Sequence, residues 1–133
     1  MAAANPMIKI ALIFLGAGLG GVLRYAMSGW VQGLSGSSFP TGTLAVNAVG
    51  CLLVGFFAAA FAGPVLIREE YRLALVVGVL GGFTTFSTFG KETLALAADR
   101  QWLFVALNLL LNNGLGLLAV WAGVRTAHRI YGV

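Results

Sequence analysis

Apolar and polar positions divide this chain into four long apolar stretches joined by short polar ones. The stretches run from about Ile8 to Val31, Gly42 to Ala62, Tyr71 to Ala98 and Trp102 to Val124. Each supplies the roughly 20 helical residues needed to cross a hydrocarbon core. The apolar residues follow one another instead of alternating, which predicts membrane helices and not barrel strands. Residues 1–133 are therefore expected to form one four-helix membrane domain. Between the spans, GLSGSSFPTG (33–42) reads as a turn, with Thr41 or Thr43 as N-cap of the second helix. GPVLIREEYR (63–72) brings glycine and proline and then the densest charge, and AADRQ (97–101) is a short polar turn. RTAHRIYGV (125–133) reads as a polar tail, with its histidine, His128, at the membrane interface.

Composition narrows the class. Hydrophobic residues make up 59% of the chain and charged ones 9%, against about 25% charged in soluble domains. An ordinary soluble globule is excluded. The net charge of +4 comes from eight scattered basic residues, so no nucleic-acid-binding face is expected. Those residues bear on orientation instead. Four spans put both ends on one side, with Lys9, Arg68, Arg72, Arg125 and Arg129. Arg100, with Arg24 and Lys91, belongs to the other side. That bias leans weakly towards cytoplasmic termini and leaves insertion in both orientations open. The single cysteine, Cys51, allows no intrachain disulfide and reads as a buried, inert thiol. Lys9 followed by apolar residues fits a signal peptide loosely, but three further spans and Arg24 argue against cleavage. No phosphate loop, dinucleotide fingerprint, metal-ligand set or nucleophile–base pair is present, so no enzyme is expected.

Polar groups inside a membrane mark packed interfaces or pathways. Arg24 follows GAGLGG (16–21) and shares a face with Gly21 and Ser28. It is either a snorkelling anchor or a fixed positive charge at a pore mouth. Thr43, Asn47 and Gly50 form one face of the second span. The Asn47 amide serves either an interhelical hydrogen bond or a pathway. Asn108 and Asn112 lie one turn apart in the fourth span with Asn113 beside them, as packing groups or pathway lining. The nineteen glycines, many inside the spans, let helices approach closely.

GGFTTFSTFG (81–90) is the least ordinary stretch. Gly81-Gly82 weakens a helix by about 1 kcal/mol per residue relative to alanine, so a break is expected there. The hydroxyls behind it can replace lost backbone bonds. Neutral carbonyls without a carboxylate suit a monovalent cation such as Na+ at a discontinuous helix. Phe86 and Phe89 turned edge-on offer a weakly electropositive contact. With Asn and Ser/Thr donors they favour a small, strongly hydrogen-bonding anion. Simple packing of Phe83, Phe86 and Phe89 is the plain alternative. Lys91 and Glu92 follow, in a vestibule or near the interface. Spans one, two and four hold no acidic residue, which counts against a proton-coupled cation exporter.

GGVLRY (20–25), GTLAVNAVGC (42–51) and above all GVLGGFTTFSTFGKE (78–92) resemble the Fluc/CrcB fluoride-channel family, over nearly the whole chain. The resemblance implies an all-α integral membrane protein of the inner membrane, with its third helix broken near the middle. It implies an antiparallel, dual-topology homodimer with two pores at the dimer interface. It also implies a central structural Na+, held by the backbone carbonyls of Gly81 and Thr84 from both subunits. The implied fluoride path runs by Asn47, Phe86 and Phe89, with Ser87 and Thr88 on a polar track and Arg24 at the vestibule. The implied activity is passive F− export that lowers cytoplasmic fluoride. The fourth span departs from the family, which often carries Ser or Thr where this chain has Asn108, Asn112 and Asn113. Two alternatives stand beside this reading. A small four-helix multidrug or cation exporter needs a carboxylate in the first span, which is absent. A non-transporting packing subunit would tolerate Asn47→Ala and Phe86→Ala.

Overall fold

The computed structural model describes residues 5–63 and 65–132. It is all-helical, with four apolar passes of 22 to 30 residues. We number the helices α1 (Pro6–Ser35), α2 (Thr41–Ala62), α3, α4 (Phe86–Ala98) and α5 (Trp102–Tyr131). The third pass combines α3 and α4. Its α3 starts as Glu69–Leu73, winds as a π-helix over Ala74–Leu80 and returns to α-helix over Gly81–Phe83. The turns at 36–40 and 99–101 meet at one end, where Phe39 packs edge-on against Phe104 with ring centroids 5.5 Å apart. At the opposite end Lys9 donates to Glu69 at 2.6 Å and Arg68 pairs with Glu70. Pro64 of the 63–72 linker and Val133 of the tail lie outside the described residues.

Three expectations change. The fourth helix does not end near Val124, because α5 continues through Arg125, His128 and Arg129 to a left-handed Gly132 with φ 71°. Apolar residues mark the membrane part of a helix. Its end is set by the first residue suited to close it, and cations in the last turn favour continuation. Neither Thr41 nor Thr43 is the N-cap of α2. That position is Pro40, which offers no capping side chain. Gln32 of α1 substitutes: its Oε1 accepts from the Gly42 N–H at 3.1 Å and from the Thr41 hydroxyl at 3.2 Å. Its Nε2 donates to the carbonyls of Ser37 and Phe39. Thirdly, Cys51 is half-buried and not enclosed.

Glycines set the closest approaches. A Cβ on Gly20 of α1 would stand 2.1 Å from the Val79 carbonyl oxygen of α3. One on Gly123 of α5 would stand 2.1 Å from the Leu52 carbonyl oxygen of α2. Such backbone contact is the usual source of membrane helix association, because lipid removes the hydrophobic drive between helices. Gly82 serves the same purpose, with Ala17 O 2.5 Å from its would-be Cβ. The Gly81-Gly82 pair therefore stays helical, and the break falls later, at Thr84 (φ −85°, ψ 160°) and Thr85 (φ −154°, ψ 115°).

Candidate functional site

Breaking a membrane helix orphans backbone groups that lipid cannot satisfy. At this break the side chains answer for them. Asn47 of α2 accepts from the Thr85 N–H at 2.8 Å and donates back to the Thr85 carbonyl at 3.1 Å. One amide thus strands-pairs with a single residue of the break. Arg24 of α1 donates to the Thr84 carbonyl at 3.3 Å. The half-buried guanidinium is therefore turned inward to the break. The Thr84 hydroxyl folds back onto Leu80 O at 3.2 Å. Thr85 caps α4, its Oγ1 accepting from the Thr88 N–H at 3.1 Å. The Thr85 hydroxyl donates to Thr88 Oγ1 at 3.0 Å, which leaves the Thr88 proton free to donate elsewhere. Ser87 is exposed, with its Oγ 3.3 Å from that of Thr85.

A chain of amides runs from the break into α5. Asn47 Nδ2 donates to Asn112 Oδ1 at 3.0 Å, and Asn112 Nδ2 donates to Asn108 Oδ1 at 2.8 Å. Fully buried Asn108 donates to Thr93 Oγ1 at 2.9 Å, and Thr93 donates to Phe89 O at 2.7 Å. Both Asn47 protons are thereby engaged. An anion reaching this amide must take the place of a protein acceptor, most readily Asn112 Oδ1. Asn113 is exposed and bonds back to Leu109 O. Phe86 and Phe89 have ring centroids 5.3 Å apart and tilted by 55°. Phe89 is 5% exposed and Phe86 79%.

Two clefts open on either side of Thr85. One, of about 270 Å³, is lined by Asn47, Thr84, Thr85, Phe86, Phe89 and Asn112 among others. The other, of about 220 Å³, is lined by Gly21, Arg24, Ser28, Thr43, Thr85 and Thr88 among others. Of the sequence-predicted residues, Asn47, Thr84, Phe86, Phe89 and Asn112 share the first cleft, Arg24 and Thr88 the second, and Ser87 lines neither. Asn108 lines neither, and supports Asn112 from behind. Glu92 lies near the turn end, where its Oε1 accepts from Thr43 at 2.8 Å and its buried Oε2 has no partner among the described residues.

Sequence reasoning counted Thr85 only among the hydroxyls behind the glycines, without its capping role, and passed over Thr93. Thr85 had a signal: a threonine three residues before Thr88, at the start of a helix, is a capping position. Thr93 had none, since its role depends on Asn108 being opposite.

The donors for a structural cation can be tested for fit. Gly81 is exposed and Thr84 half-buried, so their own chain does not enclose the end of α3. Carbonyls at a helix C-terminus carry negative partial charge, and neutral oxygens suit a monovalent ion. Thr84 O already accepts from Arg24. These two neutral carbonyls fit a monovalent cation in kind, and are too few to enclose one. No cluster of three His, Cys, Asp or Glu exists among the described residues.

Four apolar passes, the third interrupted at its middle and strapped by polar side chains, define a multi-pass membrane protein with a broken span. The family described as CrcB-like protein, Camphor Resistance (CrcB), matches residues 11–124. A relative from Geobacter sulfurreducens, named fluoride-specific ion channel FluC, is 42% identical over 124 residues, 93% of this chain and 100% of the relative. A relative of the same name from Nitrosococcus oceani is 47% identical over 116 residues, 86% of this chain and 92% of its own. A third, from Pelobacter propionicus, is 45% identical over 123 residues, covering 92% and 93%. The chain belongs to the CrcB-like family.

Proposed function

We propose that this protein is a fluoride-selective ion channel of the inner membrane that lets F− leave the cytoplasm passively. The carrying observation is the strapped break, where Asn47 joins the Thr85 backbone to the Asn112 amide at one mid-span point. Full-length relatives named fluoride-specific channels support the same reading. Two copies in antiparallel orientation would form two pores at their interface. Phe86 supports this, since a phenyl 79% exposed beside the cleft awaits a covering surface.

Fluoride holds its water tightly, so a selective path must replace that shell with protein contacts. Arg24, which lines the second cleft and donates to the Thr84 carbonyl, supplies attraction beside the break. The free proton of Thr88 supplies a donor along the track, and Ser87 joins it by exchanging its Thr85 Oγ1 acceptor for the ion. The Asn47 amide follows by exchanging Asn112 Oδ1 for the ion. The edges of Phe86 and Phe89 carry positive partial charge and exclude water. A Na+ on the Gly81 and Thr84 carbonyls of both copies would supply fixed positive charge between them.

The test is ion efflux from liposomes holding the purified protein, followed with fluoride and chloride electrodes in parallel. Fluoride loss with chloride retained is expected, and Phe86→Ala should abolish it. No fluoride flux from the folded, reconstituted protein would overturn the reading.

A further inference from the structure

The far end of α5 carries chemistry that the break does not use. Trp121, Ala122, Arg125, Thr126 and Arg129 line a cleft of about 200 Å³. Its depth can be read from the helix itself. Trp102 and Trp121 are exposed at 64% and 61%. At the rise of an α-helix they stand about 28 Å apart along its axis, close to the roughly 30 Å of a hydrocarbon core. Tryptophan favours the two interfaces, so this pair brackets the apolar slab. Arg125 and Arg129 follow Trp121 by one turn and two, roughly 6 and 12 Å further out. That is the level of lipid headgroups.

The two arginines lack acidic company. Residues 101–133 contain no Asp or Glu. The ion pairs among the described residues, Lys9–Glu69 and Arg68–Glu70, involve neither arginine. Arg125 lies over the Trp121 ring at 5.7 Å, which restrains its guanidinium at the interface. The Thr126 proton is spent on Ala122 O at 2.8 Å, so the side-chain donors left to the cleft are the guanidinium N–H groups and the Trp121 indole N–H. A guanidinium fork matches the oxygens of a phosphodiester two at a time. Exposed Leu117 and Leu118, one turn inward, offer acyl chains a surface.

We propose that this cleft binds the headgroup of an anionic phospholipid, with Arg125 and Arg129 on its phosphate. The site is independent of the channel reading, since none of its residues touches the break. Its chemistry is that of a basic pocket at the membrane surface.

Native mass spectrometry of the purified full-length protein, offered equal phosphatidylglycerol and phosphatidylcholine, tests it. Preferential retention of phosphatidylglycerol by about thirtyfold is expected from two basic groups at the surface. R125Q/R129Q should bring the ratio close to one, whereas R68Q/R72Q, at the same end, should leave it unchanged. If the double variant cannot be purified, R129Q alone should lower the ratio, since Arg129 is exposed and the Arg125–Trp121 ring contact is left in place. Equal retention of the two lipids by the unaltered protein would overturn the proposal. So would an R125Q/R129Q ratio unchanged from it. Full competition by chain-free glycerol phosphate at the same concentration would reassign the cleft to soluble phosphate and sink the lipid assignment.

Discussion

The α2–α5 contact and the α3–α4 junction hold the same bundle together by opposite means. At the first, backbone meets backbone: Gly123 of α5 rests on the Leu52 carbonyl of α2, with no polar side chain between them. At the second, the helix is given up for two residues, and Asn47, Arg24 and Thr85 replace the lost backbone bonds. The first is strong because something is absent, and any added atom harms it. The second is strong because specific groups are present, and only atoms of the same kind can stand in. Substitutions should therefore behave differently in the two regions.

The largest expected effect is at the glycine contact. Gly123→Leu forces a side chain into space occupied by the α2 backbone and should cost about 3 kcal/mol, read as a large drop in thermal midpoint in detergent. Asn47→Ala comes next. It strands both the N–H and the carbonyl of buried Thr85, at about 2 kcal/mol. Under the proposed function it also removes fluoride flux from liposomes. Asn47→Asp sharpens the comparison: the carboxylate still accepts from the Thr85 N–H but donates nothing, so flux should vanish even where the midpoint is partly kept. Thr85→Ala removes the cap of α4 and should cost about 1 kcal/mol, with Thr85→Ser restoring it in the same unfolding measurement. The smallest effect lies at the turn after α4, where Arg100 holds φ 57°. Left-handed backbone costs a residue with a Cβ about 1 kcal/mol, so Arg100→Gly should raise the midpoint slightly and leave flux alone.

The apolar pattern placed the four passes to within a few residues over most of their length, because twenty apolar residues in a row have few other uses. It failed at the ends. α5 runs to Tyr131 and not to Val124, since polarity shows where lipid stops and says little of where the helix does. The break was legible in kind and misplaced in position. Glycines suggest weakness, but Gly82 is committed to packing on Ala17, and the backbone opens at Thr84 and Thr85, where Asn47 can receive it. Helical spacing put Asn47 on one face with Thr43 and Gly50, and could not say that it would meet a residue 38 positions away. Likewise Gln32 became the cap of α2 only because the 36–40 turn brings it there.

Asn47 also shapes what variation this protein can explore. The same amide that closes the backbone of the break heads the relay through Asn112 and Asn108. Selection on ion preference at that position is thus selection on the fold as well. A library randomised there would lose most members to misassembly before any were judged on transport. Ser87, exposed and bonded only to a neighbouring hydroxyl, carries no such double duty, so tuning is expected to begin there, one step away from the residue that cannot be spared.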